Sequence, residues 1–94
     1  MAQALGYATH INTNTTTVCK RGMGMFLFVT INRLGGVGST ATVYDGVDAT
    51  GTVLAVIDTS LAMGTLGYEV LVTVGLTVVT GGGTAADLTV SSSQ

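Results

Sequence analysis

The chain has 94 residues, which is enough for one domain with one two-layer hydrophobic core. Hydrophobic residues make up 47% of the chain and charged residues only 9%, against an average of roughly 25%, and the formal net charge is −2. This composition excludes a disordered chain. Three basic residues, Lys20, Arg21 and Arg33, are too few to neutralise many phosphates, so we expect no nucleic-acid partner.

All of the predicted elements are strands. Thr (17 residues) and Val (13 residues) dominate the composition, and both are β-branched residues that favour a strand over a helix. Glycine-rich segments separate the apolar runs, as in a sandwich or a small barrel. We therefore predict an all-β fold, a single antiparallel β-sandwich or small barrel of about seven or eight short strands, Ig-like or jelly-roll-like. The predicted strands are residues 7–11, 16–20, 25–32, 40–44, 53–58, 68–74, 76–80 and 87–92.

The first segment of the chain differs from the rest. Residues 1–14 form a polar N-terminal arm with Leu5 and Tyr7 as its apolar anchors, and residues 15–94 form the predicted sandwich domain. Residues 1–8 have neither a basic start nor an apolar run, so we expect no secretion signal. No apolar run approaches the ~20 residues of a membrane span, and we expect no membrane partner.

The run Met25-Phe-Leu-Phe-Val-Thr-Ile31 does not alternate between apolar and polar residues. Regular strand geometry places Phe26 and Phe28 together on one face, opposite a second apolar face. An antiparallel strand normally has one face in water. Two explanations are open. Either the strand is central and the N-terminal segment covers its outer face, or Phe26 and Phe28 contact another subunit.

Two strand pairs carry turn signals. Residues 41–58 contain two alternating runs around a loop rich in Asp and Gly, which is the pattern of a β-hairpin. Residues 68–74 and 76–80 meet at Gly75, which marks either a second hairpin turn or a bulge in one long bent strand. Residues 59–66 are the only segment with room for a helical turn.

The titratable residues form no catalytic pattern. His10 is the single histidine, so no second histidine is available for a metal site or a catalytic triad. Asp45 and Asp48 share a turn but lack the ligand spacing of a calcium loop. The single Cys19 excludes an internal disulfide, and its strand context predicts a buried thiol. We predict no enzyme activity, no catalytic residue, no metal and no cofactor.

The low charge indicates a surface that another protein covers. A free small domain usually has roughly a quarter or more of its surface residues charged, whereas this chain has three basic and five acidic residues. Depletion of charge with retained apolar area is typical of the centre of a protein–protein interface. The candidate contact residues are the apolar anchors of the arm and the two phenylalanines, namely Leu5, Tyr7, Phe26 and Phe28.

Five turn-and-strand motifs in the chain resemble those of known proteins. They are TATVYDG (residues 40–46), GTVLAVIDT (51–59), GTLGYEV (64–70), GLTVVT (75–80) and GTAADLTV (83–90). Over residues 22–92 the chain resembles a family of small virion-associated β proteins of tailed phages. The resemblance implies a structural role in the virion, foremost as a capsid decoration (cement) protein that stabilises the head lattice by non-covalent contacts. It assigns no role to individual residues.

The resemblance also implies the partners and the location. A decoration protein binds the major capsid protein, and a homotrimer suits the threefold positions of a capsid. We accordingly expect synthesis in the host cytoplasm and a final place on the capsid surface of the virion. Two alternatives stay open. One is a tail, adaptor or fibre component of the virion; the other is a small carbohydrate-binding module, although the chain has no Trp and only three Tyr for stacking on sugar rings.

Overall fold

The computed structural model describes residues 6–93 as two four-stranded antiparallel sheets packed together. The eight strands are β1 (Gly6–Ile11), β2 (Thr16–Arg21), β3 (Gly24–Arg33), β4 (Thr40–Asp45), β5 (Thr52–Asp58), β6 (Gly64–Val72), β7 (Gly75–Gly81) and β8 (Asp87–Ser93). The predicted all-β sandwich is confirmed. Within residues 6–93, no helix is long and apolar enough to cross a membrane.

The chain alternates between the two sheets for most of its length. Sheet 1 has the strand order β1-β8-β3-β6, and sheet 2 has the order β2-β7-β4-β5. β4 and β5 pair directly, which confirms the hairpin predicted at residues 41–58. The pairing predicted across Gly75 is wrong in both of its forms, because β6 ends at Val72 in sheet 1 and β7 begins at Gly75 in sheet 2. Residues 59–66, the segment with room for a helical turn, contain no helix, since β6 begins at Gly64.

The crossing from β6 to β7 is held by a side chain from a third strand. Asp45, at the end of β4, accepts hydrogen bonds from the backbone N–H groups of Thr73 (3.0 Å to Oδ2) and Val74 (2.9 Å to Oδ1). The Thr73 hydroxyl donates a further bond of 3.0 Å to Oδ2. These bonds hold the pKa of Asp45 below its ordinary value, and the bond from the Thr73 backbone N–H makes the largest contribution. The carboxylate thus supplies acceptors for a stretch of backbone that belongs to neither sheet.

The hydrophobic core lies between the sheets and is centred on their inner strands. Leu76 and Val78 of β7 and Leu88 and Val90 of β8 are all fully buried. Alternate residues of a strand point to the same face. The two residues of each pair are two positions apart, so both point into the core. Burying one such side chain stabilises the fold by about 1.5–3 kcal/mol. Apolar alternation in the sequence therefore specifies most of the core.

The prediction that Phe26 and Phe28 share one face of their strand is wrong, because β3 contains a bulge between them. The register shifts between Phe26 and Phe28 on both neighbouring ladders, with β6 and with β8. Phe26, Val29 and Ile31 are buried, whereas Phe28 is 37% exposed. One extra residue moves every later side chain to the opposite face of the sheet. Phe26 and Phe28 therefore lie on opposite faces, not together on one.

The N-terminal segment contributes an edge strand to sheet 1. β1 pairs with β8 from Gly6 opposite Ser93 to Ile11 opposite Leu88, and Ile11 is buried in the core. Residues 6–11, which the sequence places in the arm, therefore form a strand of the sandwich. β3 is a central strand, as one explanation of its two apolar faces requires. β1 lies beside β8 in the sheet rather than over β3, so it does not cover the outer face of β3.

Candidate interaction surface

The sandwich is open along the side formed by β5 and β6. These are the edge strands of sheet 2 and sheet 1, and none of the strands in residues 6–93 lies beyond them. Edge strands present unpaired backbone N–H and C=O groups. Most proteins protect such strands with proline or with charged residues, especially lysine. The two strands contain no Lys and no Pro, and their charged residues are Asp58 and Glu69. We call β5, β6 and the joining residues 59–63 the open seam.

The open seam exposes apolar side chains. Leu61 is 74% exposed, Val56 69% and Met63 66%, and all three lie on or beside the same edge. The large apolar residues exposed along the seam are Val53, Val56, Leu61, Met63, Leu66, Val70 and Leu71. A concentration of exposed apolar side chains along one side marks a site of protein–protein contact more often than an ordinary solvated surface.

A cleft of about 300 Å³ runs into the seam. Two of its lining residues, Ile31 and Ile57, belong to the hydrophobic core. The lining residues are Ile31, Val56, Ile57, Asp58, Leu61, Ala62, Leu66 and Tyr68. A cleft with apolar walls that reaches the core is suited to receive an apolar side chain from another molecule.

The segment that carries Leu61 is anchored on both strands of the hairpin. The Asp58 carboxylate accepts hydrogen bonds from the Ser60 hydroxyl (2.6 Å) and the Ser60 N–H (2.9 Å), and these bonds lower the pKa of Asp58. The buried hydroxyls of Ser39 and Thr59 lie 2.6 Å apart in a further hydrogen bond. Leu61 is therefore presented by a fixed turn, and its exposure is a feature of the folded chain.

The opposite side of the sandwich carries the opposite charge. It is formed by β1 and β2, the other two edge strands, which contain no acidic residue. Tyr7, Cys19, Lys20 and Arg21 line a depression of about 210 Å³ there. Two of the three basic residues of the chain thus lie on this side. We call β1 and β2 the basic edge.

Cys19 lies on the basic edge but is expected to be unreactive. Burial raises the pKa of its thiol from 9.0 to about 11, and a hydrogen bond with Thr9 offsets this only in part. The thiolate fraction at pH 8 should therefore be about a hundredfold lower than in the unfolded chain. We expect alkylation by iodoacetamide, followed by mass spectrometry, to be slower by about that factor in the native protein than in urea. Equal rates in the two states would contradict the buried position.

Three of the four predicted contact residues, Tyr7, Phe26 and Phe28, are described by the structure, and they lie in three different places. Tyr7 is 41% exposed on the basic edge, and Phe28 lies on the outer face of sheet 1. Phe26 is not a surface residue, because it is fully buried and stacked on Tyr68 with the ring centroids 4.8 Å apart. Leu5 lies outside the described residues. Contact of Tyr7 or Phe28 with another chain stays a prediction.

The titratable residues of the outer face of sheet 1 form a small polar cluster. Asp87 Oδ1 accepts a hydrogen bond from Asn32 Nδ2 (3.0 Å) and lies 2.7 Å from His10 Nε2. Both bonds lower the pKa of Asp87, and the bond from Asn32 has the larger effect. The three residues come from β3, β8 and β1, so the cluster links neighbouring strands. Residues 6–93 contain no group of three or more His, Cys, Asp and Glu side chains able to hold a metal ion.

The open seam is not predictable from the strand pattern. The sequence places the start of the sixth strand at residue 68, whereas β6 begins at Gly64 and includes Leu66. The signal was present, because residues 66, 68, 70 and 72 are all apolar with the period of a strand. The position of β6 at a sheet edge was not visible in that pattern, since it depends on the strands that pair with it.

Comparison with known protein families finds no match to this chain, and comparison with curated proteins finds no similar sequence. The features of the chain that bear on its function are the fold, the open seam, the basic edge and the motifs in the sequence.

Proposed function

We propose that this protein is a structural subunit of a tailed-phage particle, a capsid decoration protein that binds the major capsid protein and further copies of itself as a homotrimer. The observation that carries the proposal is the open seam. Its apolar side chains and unpaired strand edges are exposed on a chain with only 9% charged residues. A surface of this kind favours association with other proteins and is unfavourable in a free monomer. The support for a tailed-phage particle comes from the sequence motifs that resemble those of phage proteins.

In the proposed mechanism, the protein stabilises the capsid through non-covalent contacts that bury apolar surface. Each square ångström of apolar surface removed from water stabilises a contact by about 25 cal/mol. The seam offers exposed leucine, valine and methionine side chains on a rigid sheet edge, so little conformational entropy is lost when a partner covers them. Many copies seated on a lattice would have to release several such contacts together before the shell could open. The proposed location is the capsid surface, after synthesis in the host cytoplasm.

The alternatives differ in how the seam and the aromatic residues are used. A tail, adaptor or fibre component would use the same seam, and its low copy number would distinguish it. A sugar-binding module needs aromatic rings exposed side by side. Among the described residues Tyr68 is stacked on buried Phe26, and Tyr7 and Phe28 lie on different parts of the surface. No observation favours sugar binding.

The proposal is tested on particles of a phage that encodes the chain. We expect mass spectrometry of purified particles to find the protein at a stoichiometry comparable with that of the major capsid protein. Leu61→Glu places a charge on the seam and should reduce the bound protein tenfold or more, since a loss of about 1.4 kcal/mol at one contact residue lowers the affinity tenfold. Val37→Glu is the matched control, because Val37 is 95% exposed and does not line the cleft.

Three results would overturn the proposal or redirect it. Particles that contain none of the protein would exclude a role in the virion. A few copies per particle would favour a tail or adaptor component. Wild-type occupancy by the Leu61→Glu protein would exclude the seam as the contact surface. Both substituted side chains are mainly exposed, so circular dichroism spectra of the two variants should match that of the wild type.

A further inference from the structure

The two open sides of the sandwich are matched in strand direction. Each sheet has four strands and every pair is antiparallel, so the two edge strands of a sheet run in opposite directions. A second copy in the same orientation would therefore add its β1 antiparallel to β6 and its β2 antiparallel to β5. Both sheets could continue through such a contact at once, in the favourable antiparallel pairing.

The two sides are also matched in charge. The strands of the open seam carry Asp58 and Glu69 and no basic residue. The strands of the basic edge carry Lys20 and Arg21 and no acidic residue. Joining a seam to a basic edge brings opposite charges together, whereas joining two seams brings together two acidic surfaces. Complementary charge selects the partner and its orientation more than it adds affinity.

The registers place an acidic and a basic group at the same height along the strands. Tyr7 pairs with Ser92, Ser92 with Phe26, and Phe26 with Val70. Tyr7 on one edge and Val70 on the other are thus level, and Glu69 is the neighbour of Val70 in sequence.

The basic groups stand beside Tyr7. Lys20 and Arg21 line the same depression as Tyr7, at the end of β2. In a second copy added in the same orientation, the basic pair would therefore come opposite Glu69 of the first copy. Glu69 lies in β6 where its register with β3 shifts, with a backbone φ of 53°, and its side chain is exposed on the edge.

We infer that copies of this chain associate head to tail, with the open seam of one copy against the basic edge of the next. The inference deepens the proposed self-association and rests on it, but it does not depend on the kind of particle. The interface is heterologous, because its two surfaces are different. Such an interface forms a closed ring when each copy is rotated about an axis parallel to the strands, which keeps the strand directions unchanged, and the successive rotations complete a turn. The trimer proposed above is the smallest ring of this kind.

The test is a charge exchange, with the molar mass measured by light scattering across a concentration series. The wild-type chain is expected to associate. Glu69→Lys and Arg21→Glu each place like charges at the contact and should each weaken association about tenfold. The double variant restores an opposite pair, so it should associate nearly as well as the wild type. Arg33→Glu is the matched control and should have no effect, since Arg33 lies at the end of the central strand β3.

Each other result would overturn the inference. A wild-type chain that stays monomeric at every concentration excludes self-association, while its stoichiometry in particles still tests the proposed function separately. A change with Glu69→Lys but none with Arg21→Glu indicates contact between two seams. A double variant no better than the single variants excludes the pairing of these two positions. Glu69 and Arg21 are both exposed, and thermal unfolding of each variant checks that the fold is intact.

Discussion

Replacing Phe26 by alanine is expected to lower the free energy of unfolding by about 3–5 kcal/mol, a large part of the stability of a domain of this size. The Phe26 ring has no exposed surface and stacks on Tyr68 between the sheets, with an angle of 17° between the rings. Its removal leaves a cavity that the surrounding strands fill only in part. Urea denaturation followed by circular dichroism measures the change.

Phe28→Ala is the control for this prediction. Phe28 is 37% exposed, and its ring lies over Gly67, where an added Cβ would be 3.7 Å away. The loss should be about 1 kcal/mol, because much of the ring is already in water. Equal losses for the two variants would contradict the bulge in β3. If the Phe26→Ala chain cannot be purified folded, Phe26→Leu, which should cost about 1–2 kcal/mol, gives the same comparison.

Asp45→Ala is expected to destabilise the protein by about 2–3 kcal/mol, since hydrogen bonds to a charged acceptor contribute more than neutral ones. The substitution removes the acceptors for the N–H groups of Thr73 and Val74 and for the Thr73 hydroxyl. Asp45→Asn is the matched variant, because it keeps one acceptor oxygen without the charge, and its loss should be intermediate. The free energies from urea denaturation at pH 7 give the comparison.

The effect of Asp45→Ala should depend on pH. The pKa of Asp45 is lower in the folded chain than its unfolded value of 3.8, mainly because the Thr73 N–H stabilises the ionised form. Its contribution to stability is therefore fully present above pH 3.8 and is lost as the pH falls through the lower, folded pKa. The difference between wild type and Asp45→Ala should shrink in acid. A difference that stays constant from pH 7 into strong acid would show that the charge of Asp45 is not used.

Four of the eight charged residues lie on the strands of the two open sides. The basic edge has Lys20 and Arg21 and a depression beside Tyr7, whereas the seam has exposed apolar side chains and two carboxylates. Each edge leaves backbone groups unpaired. Partial protection of both edges, with opposite charge on each, is the arrangement expected of a subunit that assembles in one direction.

Local chemistry made the strands predictable. Each of the eight predicted strands overlaps one observed strand, because β-branched residues and glycine turns act within a few residues. The hairpin of β4 and β5 was predicted for the same reason, since its Asp- and Gly-rich loop lies between the two strands that it joins. The crossing from β6 to β7 was not predicted, because the Asp45 carboxylate that accepts hydrogen bonds from residues 73 and 74 lies in β4, 28 residues before Thr73.

The sequence by itself thus determined the all-β class, the strands and most of the apolar residues that fill the core. The tertiary structure alone decided which strands lie at the edges, where β3 changes face, and which apolar residues stay exposed. The physical reason is the range of the interactions. A strand forms from its own residues, but its neighbours in a sheet are chosen by pairing and packing across the whole chain. Leu66 and Val90 both pair with Val29, yet Val90 lies on the inner strand β8 and is buried, whereas Leu66 lies on the edge strand β6 and is exposed.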